Sequence, residues 1–397
     1  MLFKIFLYSF LAGTVLTVLL NLWKKETHWP SAVLRNTVGA LFLFSGFVKA
    51  VDPLGTAYKI HDYFAAFGLE FLSPAATFFA VFTIVLELVL GVALIIGWRS
   101  RITTTLTLLL VVFFTILTGY TAATGKVTDC GCFGDFLKLE PIQSFLKDLV
   151  LLVFSLLLMV WSRHITPVLG PVFGRVKMIG ATVFSVGFCL YNFIFALPLV
   201  DFRPYAVGKD IPSQMVPEVP AVIEYVFVYE DLDTGEEVEF QQDELGALSE
   251  GNYDFIERRE NVIEEGVPAK IQNFAAYDAG GFDLTDSILT NPDPALWVLT
   301  KDPAKSHLPA WDRLNELSAW ADEQGLLMFA FAPSLSDDFR HEMQTPFPFY
   351  EADETFIKTV VRANPGLVLL QEGEVLAKWH HRHIPEPAAI EALIQAR

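Results

Sequence analysis

The chain has 397 residues, of which 53% are apolar, and its formal net charge is −18 at pH 7. The charge is divided unevenly: residues 1–200 carry a net +5 and residues 201–397 a net −23. Three cysteines exclude a disulfide-rich scaffold, and so large an acidic excess excludes nucleic acid as a partner, because like charges repel. We therefore expect an integral membrane half followed by an acidic, water-soluble half.

Six apolar stretches of the N-terminal half approach the length of about 20 residues that crosses a bilayer. They are predicted at 2–23, 34–50, 75–98, 102–124, 144–162 and 178–200, and the second is the shortest. The first is interpreted as a retained helix, because its apolar run is too long for a signal peptide and no small-x-small cleavage site follows it. Pro53 is expected to end the second span, and residues 58–67 to form a short helix at the membrane interface.

Cations are concentrated in the connections between spans 1 and 2, 3 and 4, and 5 and 6. They are Lys24, Lys25, Arg35, Arg99, Arg101, Arg163, Arg175 and Lys177. The positive-inside rule places these connections in the cytoplasm and both chain termini outside. The sequence thus predicts a bacterial inner-membrane protein whose C-terminal domain and cysteine motif face the oxidising periplasm.

Past Asp201 the pattern changes to short strands and amphipathic helices. Residues 225–229 and 237–240 flank Asp233-Thr234-Gly235, which predicts a hairpin. From residue 295 the predicted order is β-α-β-α-β-β-α, with Pro365 just before the third strand. This order resembles the thioredoxin fold, and 272–281 resembles the opening strand and turn of its peroxiredoxin-like branch. The resemblance implies a cis bond before Pro365.

One feature of the thioredoxin fold is absent from this half. The loop at 301–307, where that fold presents C-x-x-C, holds no cysteine, so no thiol catalysis is expected there. His380, His381 and His383 are interpreted as a solvated edge rather than a metal site, because alternation along a strand puts His381 on the face opposite to His380.

The motif most specific for chemistry follows the fourth span and reads Asp129-Cys130-Gly131-Cys132-Phe133-Gly134-Asp135. Two thiols one residue apart close a small, strained ring, which favours an exchangeable disulfide over a structural one. The glycines supply the backbone freedom that so tight a loop needs. Two alternatives stay open: a pair that only ties down the loop, and capture of a soft metal by the thiolates. Covalent haem is excluded because C-x-x-C-H is absent.

Residues 33–162 resemble the DoxX/MauE family of four-helix, redox-associated membrane proteins. The string Cys130-Gly131-Cys132-Phe133-Gly134-Asp135 is the most specific part of the likeness. The resemblance implies a catalytic set of Cys130, Cys132 and Glu87, supported by Arg35, Lys49, Thr115, Thr118, Asp129, Gly131, Gly134 and Asp135. It also implies a link to quinone and to disulfide formation in periplasmic partners.

Three further residues of the spans have competing interpretations. Glu87 lies near the bilayer midplane, where a charge costs at least ~2.5 kcal/mol, so it either relays protons or is a neutral carboxyl bonded to Ser45, Thr115 or Thr118. Lys147-Asp148 is expected to be a self-paired couple at the interface. Cys189 is interpreted as a small buried hydrophobe, about 15 Å of helix rise from the outer surface.

The predicted architecture is an α-helical membrane protein of about six spans with an α/β thioredoxin-like soluble domain. Its segments are 1–32 (first helix and loop), 33–163 (four-helix membrane domain), 164–204 (sixth helix and linker), 205–294 (acidic β-rich segment and opening strand) and 295–397 (thioredoxin-like core). The favoured hypothesis is a membrane redox protein that exchanges the Cys130–Cys132 dithiol/disulfide with a periplasmic partner, coupled to quinone. The alternative is a non-enzymatic scaffold whose acidic domain recruits a partner while the cysteines are structural.

Overall fold

The computed structural model describes residues 2–23, 28–127, 129–264, 266–334 and 337–396. The chain divides into two compact units, Met1–Arg203 and Pro204–Arg397. Lys24 and Lys25, which contribute to the predicted orientation, lie outside the described residues.

Helices make up most of the N-terminal unit. Their bounds are α1 (Leu2–Trp23), α2 (Trp29–Val51), α3 (Pro53–Ala66), α4 (Ala76–Ile96), α5 (Ser100–Thr124), α6 (Pro141–Val160) and α7 (Pro171–Ile194). A proline lies in the first turn of α2, α3, α6 and α7, where its missing N–H leaves no helical hydrogen bond unmade. Among the described residues, six helical stretches, built on all of these helices except α3, are long and apolar enough to cross a membrane.

Two of the six predicted spans are misplaced. α2 begins at Trp29 rather than at 34, because the His28 side chain caps the helix by accepting the N–H of Ser31 and buried polar residues extend it. α7 begins at Pro171 and ends at Ile194, so Cys189 lies only about 7.5 Å of helix rise from its end. Cys189 is fully buried, packed in a cluster with Ala50 and Ile84.

The helical bundle has an apolar outer surface and encloses several charged side chains among apolar ones. α2 and α4 approach closely at two glycines: a Cβ added to Gly39 would lie 3.1 Å from the Gly91 carbonyl oxygen, and one added to Gly91 3.0 Å from that of Gly39. Large apolar side chains such as Phe78 and Ile116 are exposed, whereas several charged side chains are buried. This inversion is what a lipid environment favours.

The C-terminal unit begins with a small sheet. Its strands β1 (Val222–Asp231), β2 (Glu236–Gln241) and β3 (Tyr253–Glu264) are antiparallel in the order β2-β1-β3. The hairpin predicted around Asp233-Thr234-Gly235 is present, with Gly235 at a φ of 72°. β3 adds a strand beyond the hairpin; its run of charges hides the alternation typical of a strand.

A six-stranded sheet forms the rest of this unit, in the order β4-β7-β6-β5-β8-β9. The remaining elements are α8 (Ile211–Met215), β4 (Ala276–Tyr277), α9 (Thr285–Leu289), β5 (Ala295–Leu299), α10 (Pro309–Glu323), β6 (Leu327–Ala332), α11 (Asp337–Met343), β7 (Phe349–Ala352), α12 (Glu354–Val360), β8 (Gly366–Gln371), β9 (Glu374–His380) and α13 (Pro387–Gln395). β5 is parallel to β6 and antiparallel to β8, and β8 pairs antiparallel with β9. The four strands β6-β5-β8-β9, with their helices, confirm the thioredoxin-like fold.

The predicted strand order lacks β7. This short strand lies parallel to β6 and pairs on its other side with β4. Pro346 and Pro348 precede it and interrupt the pattern that would reveal a strand. The Asn364–Pro365 bond is cis, as the resemblance implied.

Candidate active site

The loop between α5 and α6 holds two cysteines in a tight turn. The Asp129 Oδ1 atom accepts the backbone N–H of Gly131 at 3.0 Å, and the Gly131 carbonyl accepts that of Gly134 at 3.1 Å. Gly131 has a φ of 63° and Gly134 a φ of 52°, the left-handed region that favours glycine. Asp135 follows, half-buried in the 3-10 turn Gly134–Phe136. Asp129, Gly131 and Gly134 thus shape the loop that carries the thiols.

Cys130 and Cys132 are both free thiols, but their surroundings differ. Cys130 is buried and packs in a cluster with Tyr63 of α3 and Val127. A hydrogen bond between the two sulfurs, together with burial, raises the pKa of Cys130. The same hydrogen bond, aided by the nearby Lys147 ammonium, lowers the pKa of Cys132 despite its burial. Of the two thiols, Cys132 is therefore the one that loses its proton more readily.

Two buried ion pairs lie among the helices next to this loop. Glu87 of α4 pairs with Lys49 of α2, and Lys147 pairs with Asp148 in α6 at 2.7 Å. None of the four side chains is more than 8% exposed. Lys147 is also near Cys132, because its positive charge lowers the pKa of that thiol. Because buried ions lose their hydration, this concentration of charge is costly, and its position beside a dithiol makes this the candidate site.

Ser45 of α2 links the Glu87 pair to the cysteine loop. Its Oγ atom lies 3.1 Å from Glu87 Oε2 and 2.9 Å from the carbonyl oxygen of Cys132. A cavity of about 30 Å³ is lined by Ser45, Glu87, Lys147 and Asp148 among apolar side chains. A space of that size holds about one or two water molecules. Both buried carboxylates therefore line the same small polar cavity.

Three residues of the predicted supporting set have partners elsewhere. The buried Arg35 guanidinium donates to the Leu94 and Ile95 carbonyl oxygens at the end of α4, 14 residues from Lys49 along α2. Thr115 donates to the Val111 carbonyl of its own helix at 2.7 Å. Thr118 lies 2.9 Å from Asp148 Oδ2, not against Glu87. Glu87 contacts Ser45, which is one of the three partners expected for it, and forms its ion pair with Lys49.

Lys147 and Asp148 pair with each other, as predicted, and both side chains are buried. α6 begins at Pro141, three residues earlier than predicted, and the pair points into the bundle. The signal that could have revealed this is helical spacing. The buried residues of α6 are Ser144, Lys147, Asp148, Leu151, Ser155 and Leu158. They recur every three or four positions, which places the two charges on the inward face.

A second contact absent from the sequence prediction comes from α3. The Lys59 ammonium lies 3.7 Å from Asp129 Oδ2, and a Cβ added to Gly131 would lie 3.0 Å from Lys59 Cγ. With Tyr63 packed near Cys130, α3 therefore covers one side of the cysteine loop.

The corresponding loop of the thioredoxin-like domain is closed by its own hydrogen bonds. Ser306 Oγ donates to the Pro303 carbonyl at 2.6 Å and accepts the Trp311 Nε1–H at 2.8 Å. The backbone N–H of His307 donates to the Asn364 carbonyl at 2.9 Å. Neither side chain offers a sulfur nucleophile.

The interpretation of the histidines as an alternating, solvated edge is wrong. β9 ends at His380, and His381–His383 form a 3-10 turn, so strand alternation no longer applies. The ring centroids of His380 and His381 are 3.9 Å apart, and those of His307 and His381 4.6 Å apart. Burial and neighbouring imidazoles lower the pKa of His380 to about 4 and that of His381 to about 3. Within the described ranges, no group of three or more His, Cys, Asp or Glu side chains is placed to hold a metal.

Fold and site define a class of protein: a helical membrane unit with a buried dithiol, joined to a thioredoxin-like domain without cysteines. Residues 27–162 match the family described as Methylamine utilisation protein MauE. Residues 223–265 match a Domain of unknown function (DUF8463). The chain is thus a membrane protein with a MauE-like unit, as the sequence resemblance predicted.

Individual relatives match only parts of the chain. Protein TlpB of Flavobacterium psychrophilum is 29% identical over 129 residues, which is 32% of this chain and 35% of that protein. The match thus spans about a third of the curated relative's length. Xanthomonas campestris peroxiredoxin Q is 17% identical, with 32% of this chain and 92% of that chain covered and a TM-score of 0.24. A putative protein disulfide isomerase of Bacteroides thetaiotaomicron is 12% identical over 32% and 84% of the two chains, with a TM-score of 0.24.

Proposed function

We propose that this protein is a membrane thiol–disulfide oxidoreductase whose Cys130–Cys132 couple exchanges a disulfide with a protein partner and electrons with quinone. The observation that carries the proposal is a pair of adjacent free thiols in different surroundings: Cys130 packs against Tyr63 and Val127, whereas Cys132 lies near the buried Lys147. The thiolate is the reactive form of cysteine, and a thiol of lower pKa is the better leaving group. A pair that only ties down a loop would need no such asymmetry.

The exchange step balances with these groups alone. Starting from the Cys130–Cys132 disulfide, a partner thiolate attacks the Cys130 sulfur, and Cys132 leaves as a thiolate beside Lys147. The partner's second thiolate then attacks the partner sulfur of the mixed disulfide, and Cys130 leaves and takes up a proton. The partner has lost two electrons and gained a disulfide. The dithiol ends with the proton on Cys130 and the negative charge on Cys132.

Reoxidation needs a two-electron acceptor, for which the MauE likeness implies a quinone. The dithiol gives up two electrons and the Cys130 proton, and one further proton from the medium completes the quinol. A cavity of about 30 Å³ admits water but not a quinone ring, so the quinone would approach from the lipid-facing surface. Glu87, which lines this cavity, is the proposed proton relay.

The proposed location is the bacterial inner membrane, with both chain termini and the cysteine loop on the periplasmic side. Six crossings and the distribution of cations support it. Cysteines placed one at a time at Asp293 and Glu140 should react with an impermeant reagent from outside, whereas one at Ser100 should not. Labelling of Ser100 alone would put the dithiol in the reducing cytoplasm and contradict the oxidase role.

The thioredoxin-like domain is proposed to bind the partner rather than to react with it. Its loop at 301–307 presents Ser306 and His307 where the fold otherwise presents thiols, and both are engaged in internal hydrogen bonds. Its acidic surface favours a partner with a basic face.

The direct test is to trap the mixed disulfide. In a Cys189→Ala background, Cys132→Ser leaves Cys130 as the one thiol of the chain. When Cys130 reacts with a partner disulfide, the reverse of the exchange step, no Cys132 thiolate can release the mixed disulfide, so reducible adducts should be detectable by mass spectrometry. The Cys130→Ser/Cys132→Ser double variant is the control and should give none. Absence of adducts, together with a wild-type dithiol whose oxidation never changes with respiratory state, would instead favour the non-enzymatic scaffold.

A further inference from the structure

We infer that the Lys147–Asp148 pair sets the redox equilibrium of the dithiol. Lys147 acts as a catalytic residue that holds Cys132 as a thiolate, and Asp148 as a positioning residue that orients Lys147 and limits its effect. The inference rests on the proposed function and adds two residues that the family resemblance did not supply.

The surroundings of Lys147 restrict its ammonium to a small region beside the sulfur. It lies near the Cys132 thiol and 2.7 Å from Asp148 Oδ1. Its Nζ atom is 5.5 Å from the centroid of the Phe133 ring, a cation–π distance. Thr118 in turn lies 2.9 Å from the second Asp148 oxygen, which fixes the carboxylate. A buried lysine held on three sides in this way is positioned rather than mobile.

Lys147 and Asp148 have opposite effects on a thiolate at Cys132, because their charges are opposite. In the disulfide form, the cations Lys49 and Lys147 are matched by Glu87 and Asp148. Reduction adds a thiolate at Cys132, and Lys147 is the cation that contacts it. Asp148 carries a like charge beside the same sulfur and opposes the thiolate. Asp129 and Lys59, paired at 3.7 Å, and Tyr63 complete the surroundings on the side of α3.

A group that stabilises the thiolate stabilises the reduced form of the couple, so its removal makes the disulfide harder to reduce. Removing Lys147 should therefore shift the equilibrium toward the disulfide, and neutralising Asp148 toward the dithiol. A residue that merely supports the helix packing would not produce shifts of opposite sign.

The experiment uses the full chain in detergent micelles with Cys189→Ala, equilibrated in glutathione buffers at pH 8 and read by alkylation gel shift. Lys147→Met should lower the equilibrium constant for reduction by glutathione about tenfold, which is about 30 mV for a two-electron couple. Asp148→Asn should raise it severalfold. Lys147→Arg should stay within about threefold of the parent because it keeps the cation. Lys138→Met, an exposed lysine of the same loop, should leave it unchanged.

Lys147→Met leaves Asp148 buried without its cation, so Lys147→Met/Asp148→Asn provides a second variant that keeps the interior neutral. Its equilibrium constant should lie between those of the two single variants. Equal constants in all variants, or shifts in one direction only, would overturn the inference. The measurement needs no partner: opposite shifts without any adduct on Cys132→Ser would support the role of the pair and contradict partner exchange.

Discussion

This protein has two loops in which the thiols of a disulfide-exchanging protein could lie. The loop at 129–135 has both sulfurs, set against buried lysines and carboxylates. The loop at 301–307 lies where a thioredoxin-like fold presents its cysteines, yet Ser306 is held between Pro303 and Trp311. Fold alone would assign thiol chemistry to the second loop, whereas the function proposed above assigns it to the first, on the basis of its residues and charges.

The difference shows what a reactive dithiol needs besides sulfur. Around Cys132 the protein keeps ammonium groups in a place where water is scarce, so their effect on the thiolate is large. Around Ser306 and His307 the charged groups of the loop, such as the Lys305–Asp302 pair, lie at the surface. Thiol chemistry in the second loop would contradict this assignment. So would a dithiol in the first loop whose redox equilibrium does not depend on the buried charges.

The largest expected effect comes from separating the two units between Arg203 and Pro204. Residues 204–397 should fold alone, since they contain a complete sheet with its helices, and should show no thiol-dependent reductase or peroxidase activity. The membrane unit should keep its Cys130–Cys132 couple but lose part of its affinity for the trapped partner. Circular dichroism, peroxide consumption and adduct yield are the measurements.

Adding the soluble fragment should restore adduct formation. A high concentration is needed because interfaces between domains are typically only about 600–1,500 Å², so the fragment is expected to bind weakly. Peroxidase activity in the isolated fragment would contradict the inactive loop described here. An unchanged adduct yield after truncation would leave the C-terminal domain without its proposed binding role.

The next effect concerns the buried Lys49–Glu87 pair. Lys49→Met leaves Glu87 as an uncompensated buried charge and should cost about 3–5 kcal/mol of stability, whereas Lys49→Met/Glu87→Leu should recover most of that loss. Thermal unfolding in detergent is the measurement. Lys126→Met, which replaces an exposed lysine, should leave the unfolding temperature unchanged.

Glu87→Gln separates proton transfer from stability. If Glu87 relays protons, this variant should lose quinone-dependent turnover in excess of any loss of folded protein, because an amide does not titrate. Turnover that falls only in proportion to folded protein would reduce Glu87 to the partner of Lys49.

A smaller effect is expected from the histidines of the C-terminal unit. Burial and neighbouring imidazoles lower the pKa of His380 to about 4 and of His381 to about 3, whereas an unfolded histidine titrates near 6.5. The unfolded chain therefore binds more protons below about pH 6.5, so this contribution is complete above that pH and is lost as pH falls toward about 4. Between pH 7 and 5 the loss should be about 1 kcal/mol per histidine after allowance for partial exposure.

His381→Gln should remove about half of that pH dependence in urea unfolding of residues 204–397. His341→Gln, an exposed histidine of α11, provides the matched control and should leave the pH profile of the parent intact. If stability depended on pH in the same way in the parent and in His381→Gln, burial in the ring cluster would not lower the pKa of His381.

How far the sequence predicts this molecule depends on whether the signal is local. Apolar runs predicted six spans, and the spacing of Cys130 and Cys132 marked the loop, because both are properties of neighbouring residues. The ion pair of Glu87 was not predicted, since Lys49 reaches Glu87 from another helix, 38 residues away in the sequence. The contact between the His380 and His381 rings depends on where β9 ends, which strand alternation does not reveal.

The smallest effect tests the backbone of the cysteine loop with a matched pair of glycines. Gly125 and Gly131 have φ values of 64° and 63°, so an alanine at either should cost about 1 kcal/mol in stability. Their surroundings differ: nothing lies within 4 Å of a Cβ at Gly125, whereas one at Gly131 would meet Lys59 Cγ at 3.0 Å. Gly131→Ala should therefore displace Lys59 from Asp129 and also change the glutathione equilibrium of the dithiol, by about twofold to threefold on the scale of a weak surface ion pair. Gly125→Ala should lower the unfolding temperature similarly and leave the equilibrium unaltered. If both variants changed the equilibrium equally, the backbone strain alone would account for it, and the contact between α3 and the cysteine loop would have no part in the chemistry.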